Sequence, residues 1–251
     1  MVFHLAAQID VRRSVDDPQH DARNNVLGTI NLLEASRQAR VPRIIYAASG
    51  GSRYGAPTTL PATEDTAVNP LSPHAVANVA GEFYMRAYAS MYGLAPICLA
   101  LANVYGPRQY PHGTTGVVTV FGSALISGRS ITIYGDGSAT RDYVYVDDVV
   151  TAFLCAADAP VTTTGTFNIG TGVQTIVTEL HELIAAAVGV SRPPDYAEPR
   201  TGEVQTSALD PTRAGRVLGW KPDTDLTDGI KRTVEWLRAI LDPHPAALAR
   251  A

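Results

Sequence analysis

Three short stretches of the chain are almost continuously apolar, and the segments between them have the rhythm of helices. Val2–Ala7, Arg43–Ser49 and Pro96–Val104 carry few polar residues, which is the pattern of parallel strands covered on both faces. Between the first two, Asp21–Arg40 repeats apolar residues at Val26, Ile30, Leu33 and Ala35. Between the second and third, Ser72-Pro73 is a helix start, a capping serine followed by proline at the first position, and the helix it opens stops near Gly93. Strand, helix, strand, helix, strand is the alternation of a doubly wound parallel sheet, and it places the chain in the α/β class.

The character changes after Tyr105. Gly106-Pro107 opens a loop-rich stretch with a helix at about Val117–Ser127 and a strand pair at Ile131–Tyr134 and Tyr143–Val146. Asp147 or Asp148 is expected to cap a further helix reaching toward Ala157. A strand at Thr166–Ile169, a helix at Thr178–Val188, a Pro-rich loop and an amphipathic helix at Asp228–Leu241 follow. The tail after Asp242 reads as frayed.

Composition narrows the function. Hydrophobic residues at 45% and charged residues at 18% suit a globular core and exclude a disordered chain. The net charge of −4 comes without a basic stripe, so no nucleic-acid partner is expected. No apolar run approaches membrane-spanning length and residues 1–4 show no charged leader, so the expected setting is cytoplasmic. Cys98 and Cys155 lie in apolar stretches and read as buried free thiols. The six histidines have no metal-ligand spacing, and His181-Glu182 lacks the second His of H-E-x-x-H. Gly50-Gly51-Ser52-Arg53-Tyr54 misses a nucleophile elbow because Tyr54 stands where glycine is needed.

Several longer motifs occur in a fixed order: His4-Leu5-Ala6-Ala7, Asn25-Val26-Leu27-Gly28-Thr29-Ile30-Asn31-Leu32-Leu33-Glu34-Ala35, Ser49-Gly50-Gly51-Ser52-Arg53-Tyr54-Gly55, Asn103-Val104-Tyr105-Gly106-Pro107-Arg108-Gln109, Arg141-Asp142-Tyr143-Val144-Tyr145-Val146-Asp147-Asp148, Phe167-Asn168-Ile169-Gly170 and Pro199-Arg200-Thr201-Gly202-Glu203. Together they resemble the extended short-chain dehydrogenases/reductases, the NAD-dependent epimerase/dehydratase family, and in particular its UDP-glucose 4-epimerase branch. The resemblance runs from Val2 to about Arg238. It implies a partial Rossmann-type sheet over residues 1–105, and a smaller substrate domain over 106–242 from which the 167–170 segment can return to the sheet. By the same resemblance Leu5, Ala6, Ala7, Asn25, Ser49 and the residue at position 78 face the NAD cofactor. Asn103, Arg141 and Arg200 face a UDP-sugar, and helices 21–40 and 74–92 pair in a homodimer.

The chemistry of such a family explains the residue types. A Tyr and a Lys at i and i+4 share one helix face, and the cation lowers the phenol pKa so that it takes a sugar hydroxyl proton while hydride passes to NAD. A Ser or Thr, here Ser49, holds the same hydroxyl. Here the helix reads Ser72-Pro73-His74-Ala75-Val76-Ala77-Asn78, with His74 at the Tyr position and Asn78 at the Lys position. Histidine titrates in a useful range unaided, but its nitrogen falls short of a phenol oxygen's reach and Asn78 brings no cation. The expectation for His74 is therefore a polar side chain in a relaxed cleft.

Family members also place a strand, a GxxGxxG turn and two further βα units before the HLAA strand, each βαβ unit needing about 30 residues. The 251 residues contain none of these, so NAD is expected not to be held by this chain, through a misplaced gene start or through loss. Gly170-Thr171-Gly172 follows a strand but lacks the third glycine of a phosphate turn. Two readings follow: a UDP-sugar 4-epimerase-type enzyme, inactive as it stands, or a degenerate non-catalytic relative that holds a nucleotide sugar or a protein partner.

Overall fold

The computed structural model describes residues 1–110, 116–199 and 204–241. Strand β1 (Val2–His4) is shorter than the apolar run that announces it, and residues 5–7 continue exposed and without regular structure. The expected helix 21–40 is broken. Asp17 accepts from the His20 N–H at 2.8 Å and Pro18 takes the first position, so helix starts earlier than the apolar rhythm suggests. The order is α1 (Val11–Asp16), α2 (Pro18–Ala22), a π-helical turn (Arg23–Leu27) and α3 (Gly28–Gln38). The wide turn lies where Asn25 leaves the helix face to bond Gln8; such bulges frequently sit at functional sites.

Strand β2 (Arg43–Ser49) runs into the short α4 (Gly50–Arg53). Helix α5 (Pro73–Tyr92) begins as its signals require, with the Ser72 hydroxyl accepting from Ala75 N–H at 3.2 Å, and stops at Gly93 with φ of 70°. Strand β3 (Ala95–Leu101) follows. Then come β4 (Asn103–Tyr105), α6 (Val117–Ile126), β5 (Thr132–Tyr134), β6 (Thr140–Arg141), β7 (Tyr143–Tyr145) and α7 (Val146–Asp158). The rest is β8 (Gly165–Ile169), β9 (Thr175–Ile176), α8 (Val177–Val188), β10 (Asp195–Ala197), α9 (Thr212–Leu218) and α10 (Leu226–Leu241).

The main sheet is parallel in the order β1-β2-β3-β8, with β1 at one edge. Strand alternation sends Ile44, Tyr46 and Cys98 to one face, against Leu33 of α3 and Met85 and Tyr88 of α5. Ile45, Ile97 and Leu99 go to the other face, against Phe153 of α7 and Trp220. Both faces are dry, which explains the unbroken apolar runs; each fully buried Ile or Leu contributes about 1.5–3 kcal/mol. The Phe167–Ile169 segment joins the sheet as β8, as its resemblance allowed, and α7 returns with it. A separate core forms where Phe121 of α6, Leu180 and Ile184 of α8, and Ile230 and Val234 of α10 meet.

Three expectations are corrected here. The segments around 131–134 and 143–146 do not pair with each other: β5 pairs with β10, and β7 with β4. Tyr143, Val144 and Tyr145 are all buried, so β7 is an interior strand, whereas β5 alternates exposed, buried, exposed and takes an edge partner from the region read as a Pro-rich loop. Neither Asp147 nor Asp148 is the cap of α7; the helix starts at Val146, behind Tyr145, so both lie in its first turn, and Asp148 accepts from Thr224 N–H at 3.0 Å. Cys98 is buried as expected but Cys155 is only half-buried. Among the described residues no helix is long and apolar enough to cross a membrane, and no three His, Cys, Asp or Glu side chains are placed to hold a metal.

Candidate functional site

The C-terminal end of β2, the first turns of α5 and the chain leaving β1 meet at one end of the sheet. Ser49 ends β2, and its hydroxyl accepts from Ser52 Oγ at 2.8 Å. The loop behind it is fastened by a buried Arg53–Glu82 ion pair and by the Tyr54 hydroxyl, which donates to Asn168 Oδ1 at 2.8 Å. Thr166 donates to the same Glu82 carboxylate at 2.8 Å.

His74 and Asn78 share a face of α5 one turn apart, as their spacing requires, and both are buried. Asn78 Nδ2 donates to the His74 carbonyl at 2.9 Å and lies 3.2 Å from His74 Nε2. The carbonyl bond identifies that amide atom as nitrogen, a donor only, so Nε2 accepts and the ring proton sits on Nδ1. Nδ1 faces Asp21 Oδ1 at 3.9 Å, and the His74 N–H donates to Ser14 Oγ at 3.2 Å. Burial lowers the imidazole pKa below its ordinary value, while the Asp21 carboxylate opposes the shift. Asp21, 1% exposed, also accepts from Gln8 Nε2 at 2.8 Å and Asn25 Nδ2 at 3.0 Å. This is a packed polar cluster and not the relaxed cleft expected of it. Asp21 lies near the ring, but at 3.9 Å it is beyond hydrogen-bond reach of Nδ1.

Asn25 braces the backbone: Oδ1 accepts from Gln8 N–H at 2.8 Å, and Nδ2 donates to the Gln8 carbonyl at 2.9 Å. Leu5, Ala6 and Ala7 are exposed just before it. The cofactor implied by the resemblance needs a cation on α5 beside its nicotinamide ribose. Asn78 supplies an amide already engaged by His74, so the residues present do not fit that group.

The substrate side is built from other elements. Strands β4 and β7 pair with Asn103 opposite Tyr143, and Asn103 N–H donates to the Asp142 carbonyl at 2.9 Å. Arg141, half-buried on β6, donates from Nη1 to the Thr140 carbonyl at 2.8 Å and the Gln205 carbonyl at 3.3 Å. Arg200 lies outside the described residues. A methyl group placed on Gly51 would lie 3.6 Å from Asn103 Oδ1 and 3.8 Å from Ser207 Oγ. The loop after Ser49, Asn103 and Ser207 therefore converge, beside a small hollow lined by Gly50, Gly51, Tyr54 and Thr206–Leu209. Sequence reading did not single out Ser207; its only signal is that it follows the Pro199–Glu203 element by a few residues.

A parallel sheet of order β1-β2-β3-β8 with helices packed on both faces defines an α/β protein of the Rossmann-type, doubly wound class. Residues 1–233 match the family described as GDP-mannose 4,6 dehydratase. The chain is 53% identical over 238 residues to the UDP-glucose 4-epimerase of Mycolicibacterium smegmatis, covering 95% of this chain and 76% of that protein. It superposes on the crystal structure of a Thermotoga maritima UDP-glucose 4-epimerase with UDP-glucose at a TM-score of 0.93 and 43% identity, covering 96% of this chain and 77% of that one. The UDP-glucose 4-epimerase of Thermus thermophilus, in complex with NAD, gives 0.87 and 39%, over 94% and 76%. The chain belongs to this family of NAD-dependent nucleotide-sugar epimerases and dehydratases, within the extended short-chain dehydrogenases/reductases.

Proposed function

We propose that this chain binds a UDP-sugar through Asn103, Arg141 and Arg200 and does not carry out the oxidation and re-reduction at C4 that gives an epimerase its name. The observation that carries the reading is the His74–Asn78 pair. Proton abstraction from a sugar hydroxyl needs a base whose reactive atom faces the cleft and a cation that favours its charged form. Here Nε2 is occupied by Asn78, the protonated Nδ1 is turned to buried Asp21, and burial favours the neutral ring. Asn103 and Arg141, by contrast, keep the residue types suited to a nucleotide diphosphate, the guanidinium fork above all. Helix α5 and the turn before α3 carry exposed Leu27, Val76, Phe83, Tyr84 and Met91, and this supports a homodimer through these elements.

A second reading, a working UDP-hexose 4-epimerase, is favoured by the similarity to the mycobacterial protein and by the presence of Ser49. Calorimetric titration of the full chain separates the two. UDP and UDP-glucose should bind, NAD should give no heat up to millimolar concentration, and UDP-galactose should remain unconverted with NAD present. Conversion by the unmodified chain would establish the second reading; absence of any UDP binding would remove the first.

A further inference from the structure

The Asp142 carboxylate is fully buried and is approached only by hydrogen-bond donors among the described residues. Oδ1 accepts from Thr171 N–H at 2.9 Å and Thr171 Oγ1 at 2.7 Å; Oδ2 accepts from Gly172 N–H at 3.0 Å and Leu209 N–H at 3.1 Å. Its main-chain carbonyl accepts from Asn103 N–H. One residue thus fastens β4, the β6–β7 junction, the loop after β8 and the segment entering α9. The approach is close: a Cβ on Gly170 would fall 2.5 Å from Asp142 Oδ2, so glycine is required there. The amides of Thr171 and Gly172, which in sequence hint at an anion-binding turn, are aimed at an anion internal to the protein.

Arg141 is the neighbour of this residue. Its guanidinium bonds the Gln205 carbonyl, four residues before Leu209, so Arg141–Gln205 and Asp142–Leu209 fasten the same two segments together. We infer that Asp142 is a positioning residue: by holding residues 171–172 and 209 it fixes the direction of Arg141 and the place of Asn103, and so sets the geometry in which a diphosphate is received. Bonds to a charged acceptor are the strong kind, and removing the acceptor leaves buried N–H groups unmatched. The inference rests on the nucleotide-sugar reading for what Arg141 binds, but not for how Arg141 is held.

Two variants test it. Asp142→Asn replaces one acceptor oxygen with a donor facing donors; Thr171→Val removes a single hydroxyl and is the milder change should the first fail to fold. In the ligand-free, nitrogen-15-labelled full chain, the Arg141 guanidinium resonance, assigned by its loss in Arg141→Ala, should shift or broaden in both variants while core signals stay in place. The UDP dissociation constant should rise about tenfold for Asp142→Asn and less for Thr171→Val, and neither change should add to the loss caused by Arg141→Ala. An unchanged Arg141 resonance overturns the inference, and so do losses that add fully to that of Arg141→Ala. If UDP does not bind the wild-type chain, the resonance alone decides the positioning role, and the nucleotide-sugar reading is what fails.

Discussion

His74 shows how a titratable side chain is held by its surroundings. Desolvation holds its imidazole below the ordinary value and Asp21 only partly restores it. A base whose folded-state pKa is lowered stays neutral while the unfolded chain takes up a proton. Its contribution to stability is therefore complete above about pH 6.5 and is lost as pH falls through the folded value. Each unit of difference corresponds to about 1.4 kcal/mol. Comparing thermal midpoints at about pH 7.5 and 5.5, His74→Gln should lose less on acidification than the wild-type chain. His4 and His181 are lowered by burial as well, but they are common to both chains. Equal acid losses in the two proteins would show that the His74 ring does not titrate differently on folding.

At the scale of the element, α5 decides the most, because it presents His74, Asn78 and Glu82 and packs on the sheet. Its start is set by a single side chain, Ser72, accepting from Ala75 N–H. Ser72→Ala should cost about 1 kcal/mol, read as a lower urea midpoint with an unchanged slope. A change below a few tenths would mean that Pro73 and packing set the start without the cap. The signals for α5 were complete in the sequence, cap, proline and terminal glycine alike. Those for the helix before it were not, since an apolar rhythm says nothing of a π-helical turn in which Asn25 bonds Gln8, far along the chain.

Among the described residues β1 pairs with β2 alone, and Met1, Phe3 and Leu5 around it are 55%, 45% and 60% exposed. An edge with unpaired backbone groups, apolar side chains and neither Lys nor Pro is a template for association. Purified as these 251 residues alone, the chain should therefore associate beyond a dimer as concentration rises, and Phe3→Lys should lower the mass seen by light scattering. A concentration-independent monomer or dimer for the wild-type chain would show the edge to be protected.

The main strands of the parallel sheet, the class of sheet and the ends of α5 were legible in the sequence, because backbone preference and two-sided burial act over neighbouring residues. The partners of those elements were not. β5 takes β10 and not β7, Asp148 in the first turn of α7 bonds Thr224, and the amides of Thr171 and Gly172 turn inward to Asp142. The resemblance set His74 and Asn78 at the positions of a base and a cation, but said nothing of their bonding each other and facing Asp21. That was decided only in three dimensions, because a buried polar group takes whichever partner the packed chain brings within reach, however distant in sequence.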